Sequence, residues 1–421
     1  MLVLRLVPLG AACFLYASLL GAAPVSEPSP MAAAPLRAAL HTVWQASPEV
    51  QAAQAERDAT RAHAQAAAQP LYNPELSLEA ENADVDRRVA GLSLALDLSG
   101  KRRARASQGE ADVQASEAGY ALLRRDVAAR WLKAWSGAAL AQRQSELGRQ
   151  RLGLMQRFDE LAAQRLQVGD VSSPERDLAG LALAEAQMQQ ASLIGHEAAA
   201  RAALVAIGGA SSIALPSLPE GLPPSADSFA PLAVDALPEM QQARALQQSA
   251  EAGVQVARRA RMPDPTVSLV GGQIHSGPRS DRVIGLSVSV PLPVLNSGRA
   301  EVAAARAEVE AADARLRSRQ FVQRAGLQEA QARYVALREA AMAFRGGRAA
   351  AFGDRTALLE KLWRAGEIST SDYLTQLKQS LDTALSGREL ESQAWQAWFD
   401  YLTAAGRLTD WLDGRTPEAS R

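Results

Sequence analysis

Polar and apolar residues trade places along this chain in two distinct periods. Leu76, Leu78 and Ala80 alternate with Ser77, Glu79 and Glu81, and Leu92, Leu94, Leu96 and Leu98 alternate with Ser93, Ala95 and Asp97. A period of two, apolar on one side and polar on the other, predicts a strand pair over 73–98 joined by the polar turn ADVDRR. The same signal returns over 264–292, with strands at 266–275 and 282–292 around SGPRSD. After each pair the period lengthens to that of a helix. Residues 100–167 carry no break, which at 1.5 Å per residue predicts a rod of about 100 Å. Within it Leu140, Leu147, Leu154, Leu161 and Val168 fall on seven-residue steps. In a second rod, 298–364, Leu337, Phe344, Ala351, Leu358 and Ala365 do the same. A strict seven-residue step predicts a coiled-coil seam, because the stripe of an isolated straight helix would drift around it over this length.

Each rod ends in a sharp turn. The first reads Gly169-Asp170-Val171-Ser172-Ser173-Pro174, and the second runs from Ala365 to Thr370 through Gly366, Glu367, Ile368 and Ser369. Glycine suits the left-handed cap, serine caps the next helix, and Pro174 fits a first turn. Return helices are expected over 174–207 and 370–410, and further helices over 36–69 and 232–261. The short helices at 36–69 and 174–207 are each about half the rod, so stacked end to end they would match it. The chain is therefore written twice, at an offset of roughly 190 to 200 residues. A first repeat covers 36–210 and a second 232–410, with a Pro/Ser/Leu-rich linker at 211–231 and a tail at 411–421.

Composition agrees with long helices: aromatic residues make up 5% of the 421 and charged residues 22%. A net charge of −1 gives no reason to expect a nucleic-acid partner. Residues 1–23 are apolar, carry Arg5 and end in Gly21, Ala22 and Ala23, as a secretory signal peptide does. An uncleaved anchor is the alternative, and the cut can fall elsewhere before Pro35. Cys13 is the only cysteine, and Gly10 stands where a lipidation motif wants an aliphatic residue. His41, His63, His196 and His275 are scattered without metal-ligand spacing, and His196-Glu197 lacks the second histidine of a zinc-protease helix. No phosphate-binding loop, dinucleotide glycine pattern or nucleophile elbow is present, so neither an enzyme nor a cofactor is expected.

Strands of about ten residues with one apolar face suit a tilted membrane-spanning wall. Four strands cannot close a barrel, and an open edge cannot face lipid, so the pattern asks for an oligomer. Two copies give eight strands and three give twelve; eight leave no lumen, twelve leave a channel. The doubled plan of strand pair, rod and hairpin, the Gly-x-[Ile/Val]-Ser tips and the proline-rich strand exit at Pro291 and Pro293 resemble the TolC family of outer-membrane efflux proteins. NPELSLEAEN from Asn73 and LDLSGKRRAR from Leu96 resemble its cobalt–zinc–cadmium branch.

The resemblance implies a mainly α fold. Long helical hairpins would form an α-barrel, and four strands per chain would contribute to a trimeric twelve-stranded β-barrel in outer-membrane lipid. It implies an exit duct with a long periplasmic extension, reached through a periplasmic adaptor from an inner-membrane pump of the resistance–nodulation–division class. Heavy-metal cations are the expected cargo, drug efflux or type I secretion the alternative, and a periplasmic coiled-coil adaptor or scaffold the alternative of another class. Site expectations follow from the same resemblance. Asp372 would line a gate, with Glu175 its counterpart in the first tip and Thr375 standing where the family has its next acidic residue. Gly169, Asp170, Val171, Ser172, Gly366, Glu367, Ile368 and Ser369 would be adaptor-docking tips. Glu79, Glu81 and Asp97, on the polar strand faces, are expected to face the lumen.

Overall fold

The computed structural model describes residues 32, 34–82, 85–208, 217–219, 221–276, 278–347 and 352–414. The predicted signal segment with Cys13, linker residues 211–216 and 220, and the tail beyond 414 lie outside them. The chain runs α1 (Ala34–Ala46), α2 (Pro48–Ala67), β1 (Glu75–Glu81), β2 (Val85–Ala95), α3 (Lys101–Gln167), α4 (Ser173–Gly208) and α5 (Pro238–Ala260). It continues through β3 (Thr266–Ser276), β4 (Arg279–Ser289), α6 (Arg299–Gly346), α7 (Phe352–Arg364), α8 (Thr370–Ala404) and α9 (Leu408–Asp413).

The helix expected over 36–69 is two helices. Pro48 disfavours helical geometry at Ser47, whose ψ is 118°, and starts α2 afresh. The second rod is likewise two described helices, α6 and α7, with 348–351 outside the described residues. The last helix breaks at Gly406, φ 71°, and residues 411–413 are not tail but the end of α9, with Trp411 and Leu412 buried. Strand bounds also shift. β2 begins at Val85 and β4 at Arg279, so the polar turns are shorter than their composition suggested, and β4 stops at Ser289 instead of reaching Leu292.

The rod α3 has 67 residues; Leu140 of the leucine column is buried as expected, but from there toward the tip the buried positions sit one residue later than the column. Ser145, Gly148, Arg151, Met155, Phe158 and Ala162 are buried, on three- and four-residue steps. Leu147, Leu154 and Leu161 are only half-buried beside them, and Val168 is 73% exposed. The reason is that α3 lies between α4 and α8, so its buried arc faces two neighbours and is centred between them. In the second half Leu337 and Phe344 are half-buried, Leu358 and Ala365 are exposed, and Ala351 lies outside the described residues.

The helices form a wall four wide. Near the sheet the order is α2–α3–α5–α6; toward the tips it is α4–α3–α8 with α6 and α7 beyond. α2 and α4 thus share one flank of α3, and α5 and α8 lie between α3 and α6, so the expected end-to-end stacking is present. Where the short helices meet, near mid-rod, lies the main core. Trp131, Trp135, Tyr334, Trp395, Trp398, Phe399, Tyr401 and Trp411 are buried there. The linker is bound into it: the Tyr401 hydroxyl donates to the carbonyls of Phe229 (2.9 Å) and Ala226 (3.2 Å), and Arg338 donates to that of Pro223 (3.0 Å). Truncating Trp398, fully buried against Phe229 and Tyr334, removes the centre of this core. Trp398→Ala is expected to cost about 3–5 kcal/mol, read as a lower denaturation midpoint of the folded chain.

The sheet is a simple antiparallel meander, β1-β2-β3-β4. The central β2–β3 pairing joins the two halves of the chain, Leu92 facing Leu269 and Ala95 facing Thr266. β1 and β4 each have one neighbour, so both outer edges are unpaired among the described residues.

Candidate functional site

The two tips are built alike, by local chemistry. Gly169 (φ 82°) and Gly366 (φ 75°) take the left-handed conformation that side-chain-bearing residues avoid. The next amide closes each helix, Asp170 onto the Arg165 carbonyl at 2.9 Å and Glu367 onto that of Leu362 at 3.0 Å. This is the six-to-one closure expected of a glycine-terminated helix. Each return helix then opens on a serine. Ser172 gives its amide and its hydroxyl to the Glu175 carboxylate, both at 2.8 Å. Ser369 accepts from the Asp372 amide at 3.0 Å and donates to its carboxylate at 2.8 Å. Of the three gate candidates, Glu175 thus caps the start of its own helix, Asp372 is bound by the capping residue of its helix, Ser369, and Thr375 follows one turn on. The hydrogen bonds from the Ser172 amide and hydroxyl hold the Glu175 carboxyl below its ordinary range. Asp372 and Thr375 are exposed, as are the remaining tip positions, except Val171 and Ile368, which are half-buried.

Sequence reasoning missed what joins the tips. Phe158, Trp363 and Tyr373 pack with ring centroids 4.5, 5.0 and 5.4 Å apart, all nearly or fully buried. Arg165 lies over Trp363 at 4.7 Å and donates to the Arg364 carbonyl at 3.0 Å, so the first tip holds the second. Burial, with the nearby Glu360 charge, pushes the Tyr373 hydroxyl up to about 12. The available signal was aromatic residues gathered near the turns of an aromatic-poor chain. Farther up, Lys378 and Arg151 converge on Glu185, at 2.5 and 3.9 Å, tying α8 and α3 to α4.

The strand acids separate. Glu79 and Glu81 share a face with Ser77, Val89 and Gly91, opposite the leucines. Val89 is buried there while Leu76, Leu78 and Leu286 are more than 70% exposed, so the polar face is the concave one. A side chain at Gly91 would meet the Ser77 hydroxyl at 2.5 Å, and one at Gly272 the Arg88 carbonyl at 2.2 Å; both glycines permit this curvature. Asp97 lies past the end of β2 and does not belong to a strand face: its carboxylate accepts from the amides of Lys101 (2.9 Å) and Arg102 (2.8 Å) at the start of α3. Burial resists its ionisation, but these amides and the Lys101 charge together bring its pKa below the ordinary value. Asp97, expected on a strand face, is thus a helix cap beyond the end of β2. Next to it the buried Asp264 accepts from the Tyr72 hydroxyl (2.6 Å) and the Lys101 ammonium (2.8 Å). Among the described residues no group of three or more His, Cys, Asp or Glu side chains could hold a metal ion, and no helix is long and apolar enough to cross a membrane.

A lowered carboxyl contributes stability above its unfolded pKa and loses it as pH falls through the folded one. Hydrogen-exchange protection at the Ser172 amide is therefore expected to be full at neutral pH and to fall below the ordinary carboxylate range. Glu175→Ala is expected to show the unprotected value at every pH.

Known proteins share this plan. The family model described as outer membrane efflux protein matches residues 39–210 and 231–407. The cobalt-zinc-cadmium resistance protein CzcC of Cupriavidus metallidurans is 28% identical over 243 residues, covering 54% of this chain and 56% of CzcC, so the match spans about half of that relative. A membrane protein from Pseudomonas aeruginosa superposes with a TM-score of 0.75 at 20% identity, over 91% of this chain and 98% of the other. The Campylobacter jejuni CmeC outer membrane channel gives 0.72 at 15%, over 96% and 94%.

Proposed function

We propose, from the premise that this chain belongs to the outer membrane efflux protein family, that three copies close into an exit duct through the outer membrane. The observation that carries this reading is the sheet. Its convex face exposes Leu76, Leu78, Leu92, Leu269, Ile284 and Leu286 as one continuous apolar surface, of a kind soluble monomers rarely expose. Among the described residues both edges are open, and in lipid each unpaired backbone group would cost several kcal/mol. Joining β4 of one copy to β1 of the next removes the edges, and three copies give twelve strands, enough for an open lumen. The helical wall continues this logic, since α2 and α4 form one free flank and α6 with α7 the other. Apolar residues remain exposed on both flanks, including Leu181 and Met188 on α4 and Phe321 and Met342 on α6. A soluble scaffold has no use for the leucine face. Membrane fractionation should find heat-modifiable trimers in the outer membrane; only soluble monomer would overturn the duct.

Heavy-metal cations are the cargo we favour, from the likeness to a cobalt-zinc-cadmium resistance protein and from Glu79 and Glu81 on the concave face. The match to half of CzcC supports this more weakly than the fold supports a duct, and drug efflux or type I secretion through the same duct is the competing reading. Supply would come from an inner-membrane pump of the resistance–nodulation–division class through a periplasmic adaptor docked at the tips. Bulky substitution at Gly169 or Gly366 is expected to abolish adaptor pull-down while trimers persist; retained capture would remove the docking role.

The gate reading of Asp372 rests on threefold repetition around one axis. Three carboxylates at close range repel one another and attract cations. Its bond to the capping Ser369 does not exclude that role, because the hydroxyl only donates a hydrogen bond to the carboxylate. Asp372→Ala should raise conductance of reconstituted trimers or weaken block by divalent cations. Unchanged conductance with unchanged block would leave Asp372 only its place in the first turn of α8.

A further inference from the structure

The register aligns the convex face into rows. Leu94–Val267–Val288, Leu76–Leu92–Leu269–Leu286 and Leu78–Ala90–Gly271–Ile284 are apolar. One row farther from the rods stands Ala80–Arg88–Gln273–Arg282, and beyond it Asp86–His275–Ser280. The face therefore turns from apolar to basic in about 7 Å of strand. Arg88 and Arg282 are exposed. Arg88 meets Asp86 only at 3.5 Å with 73% of its side chain in solvent, and Arg282 has no ion pair or hydrogen bond among the described residues. Gln273 stands between them on β3. The concave face at this height carries its own charges, Glu81 across from Arg87 and Asp281 across from Ile274, so they do not neutralise the convex row.

Neighbouring strands lie about 4.8 Å apart, which puts Arg88 and Arg282 about 10 Å apart at the backbone. Two guanidinium forks of that spacing can converge on one anion, with the Gln273 amide as a third donor between them. Guanidinium matches phosphate bidentately and is the more weakly hydrated cation, which suits the boundary of an apolar band. Zwitterionic headgroups carry their own ammonium and offer less.

We propose that the Arg88–Gln273–Arg282 row binds lipid-headgroup phosphates in the leaflet farther from the rods. The inference rests on the reading that the convex face meets lipid. It adds that this face selects among lipids, with each arginine contributing about fivefold.

The test uses the full chain reconstituted in phosphatidylcholine vesicles with or without lipid A, with bound lipid counted by native mass spectrometry after extraction. Wild type should retain lipid A in preference to phosphatidylcholine. R88Q/R282Q should lose that preference by about twenty-five-fold, the product of the two arginine contributions, while inserting equally well. R88K/R282K should keep part of it, since charge remains but the fork does not. Equal insertion with no lipid preference in wild type, or a preference kept in R88Q/R282Q, would overturn the site and leave the membrane reading standing. Failure of every form to insert into either vesicle would overturn the membrane reading and the site with it. Stabilisation of detergent-solubilised wild type by inorganic phosphate, without lipid selectivity, would also refute the lipid assignment.

Discussion

A rod of sixty-seven residues can be covered along its length only if something meets in the middle. Among the described residues no other helix matches α3, so each of its flanks is covered by two shorter helices placed end to end. End-to-end helices leave their terminal amides and carbonyls facing one another with no side chains between, and the gap must be filled. The sequence fills it with its largest residues. Trp131 and Trp135 stack with centroids 6.4 Å apart on α3, and Trp395, Trp398, Phe399 and Tyr401 approach from α8. The linker then crosses this belt and gives its carbonyls to Tyr401, Tyr334 and Arg338. A stretch that reads as a spacer between two domains is thus part of a single core. The burial that pushes the Tyr334 hydroxyl upward is the same burial that makes the belt stable.

At the other end of the rod, direction changes from helix to strand within a few residues, and buried charge fixes the change. Asp264 precedes β3, Lys101 opens α3 and Tyr72 precedes β1; their three polar groups meet below the sheet. The hydrogen bond to Asp264, with burial, raises the Tyr72 hydroxyl, so the phenol remains a donor at any ordinary pH. A buried ion pair adds little net stability, because desolvation offsets most of its attraction. Its use is geometric, since losing one partner strands the other, and the pair fixes where the two halves of the chain cross.

The periodicities gave the architecture because period two and period seven are backbone properties that each residue repeats. Past the buried Leu140 they missed the face of α3 by one residue, because the leucine column marks the centre of a two-helix seam, and α3 has a neighbour on either side. Gly148 shows how this is accommodated: a side chain there would lie 2.2 Å from Gln190 and 2.5 Å from Leu193, so α4 sits where a leucine stripe would not admit it. Pro48 could have been read from sequence as a helix start, since Ser47 precedes it and Glu49 follows. The tips were legible residue by residue, because capping is local. The Phe158–Trp363–Tyr373 contact was not, because it joins residues from separate hairpins and leaves no periodic trace.

The two halves diverge where the sheet meets the rods, and the divergence has a physical reading. In the first half Asp97 caps α3 directly and Lys101 crosses to Asp264 of the second half. At the matching place in the second half Asn296 accepts from the Gly298 amide and donates to Glu301, while Arg261 donates to the Ser297 carbonyl. The first junction thus binds across the halves and the second binds within its own. Two identical copies of one half would either both reach across or both close on themselves. A tandem chain can assign one role to each, so that the first junction adds side-chain bonds across the halves to the β2–β3 pairing, and the unpaired edges among the described residues remain at β1 and β4. Duplication here supplies more than extra wall: it lets one end of the sheet be anchored differently from the other.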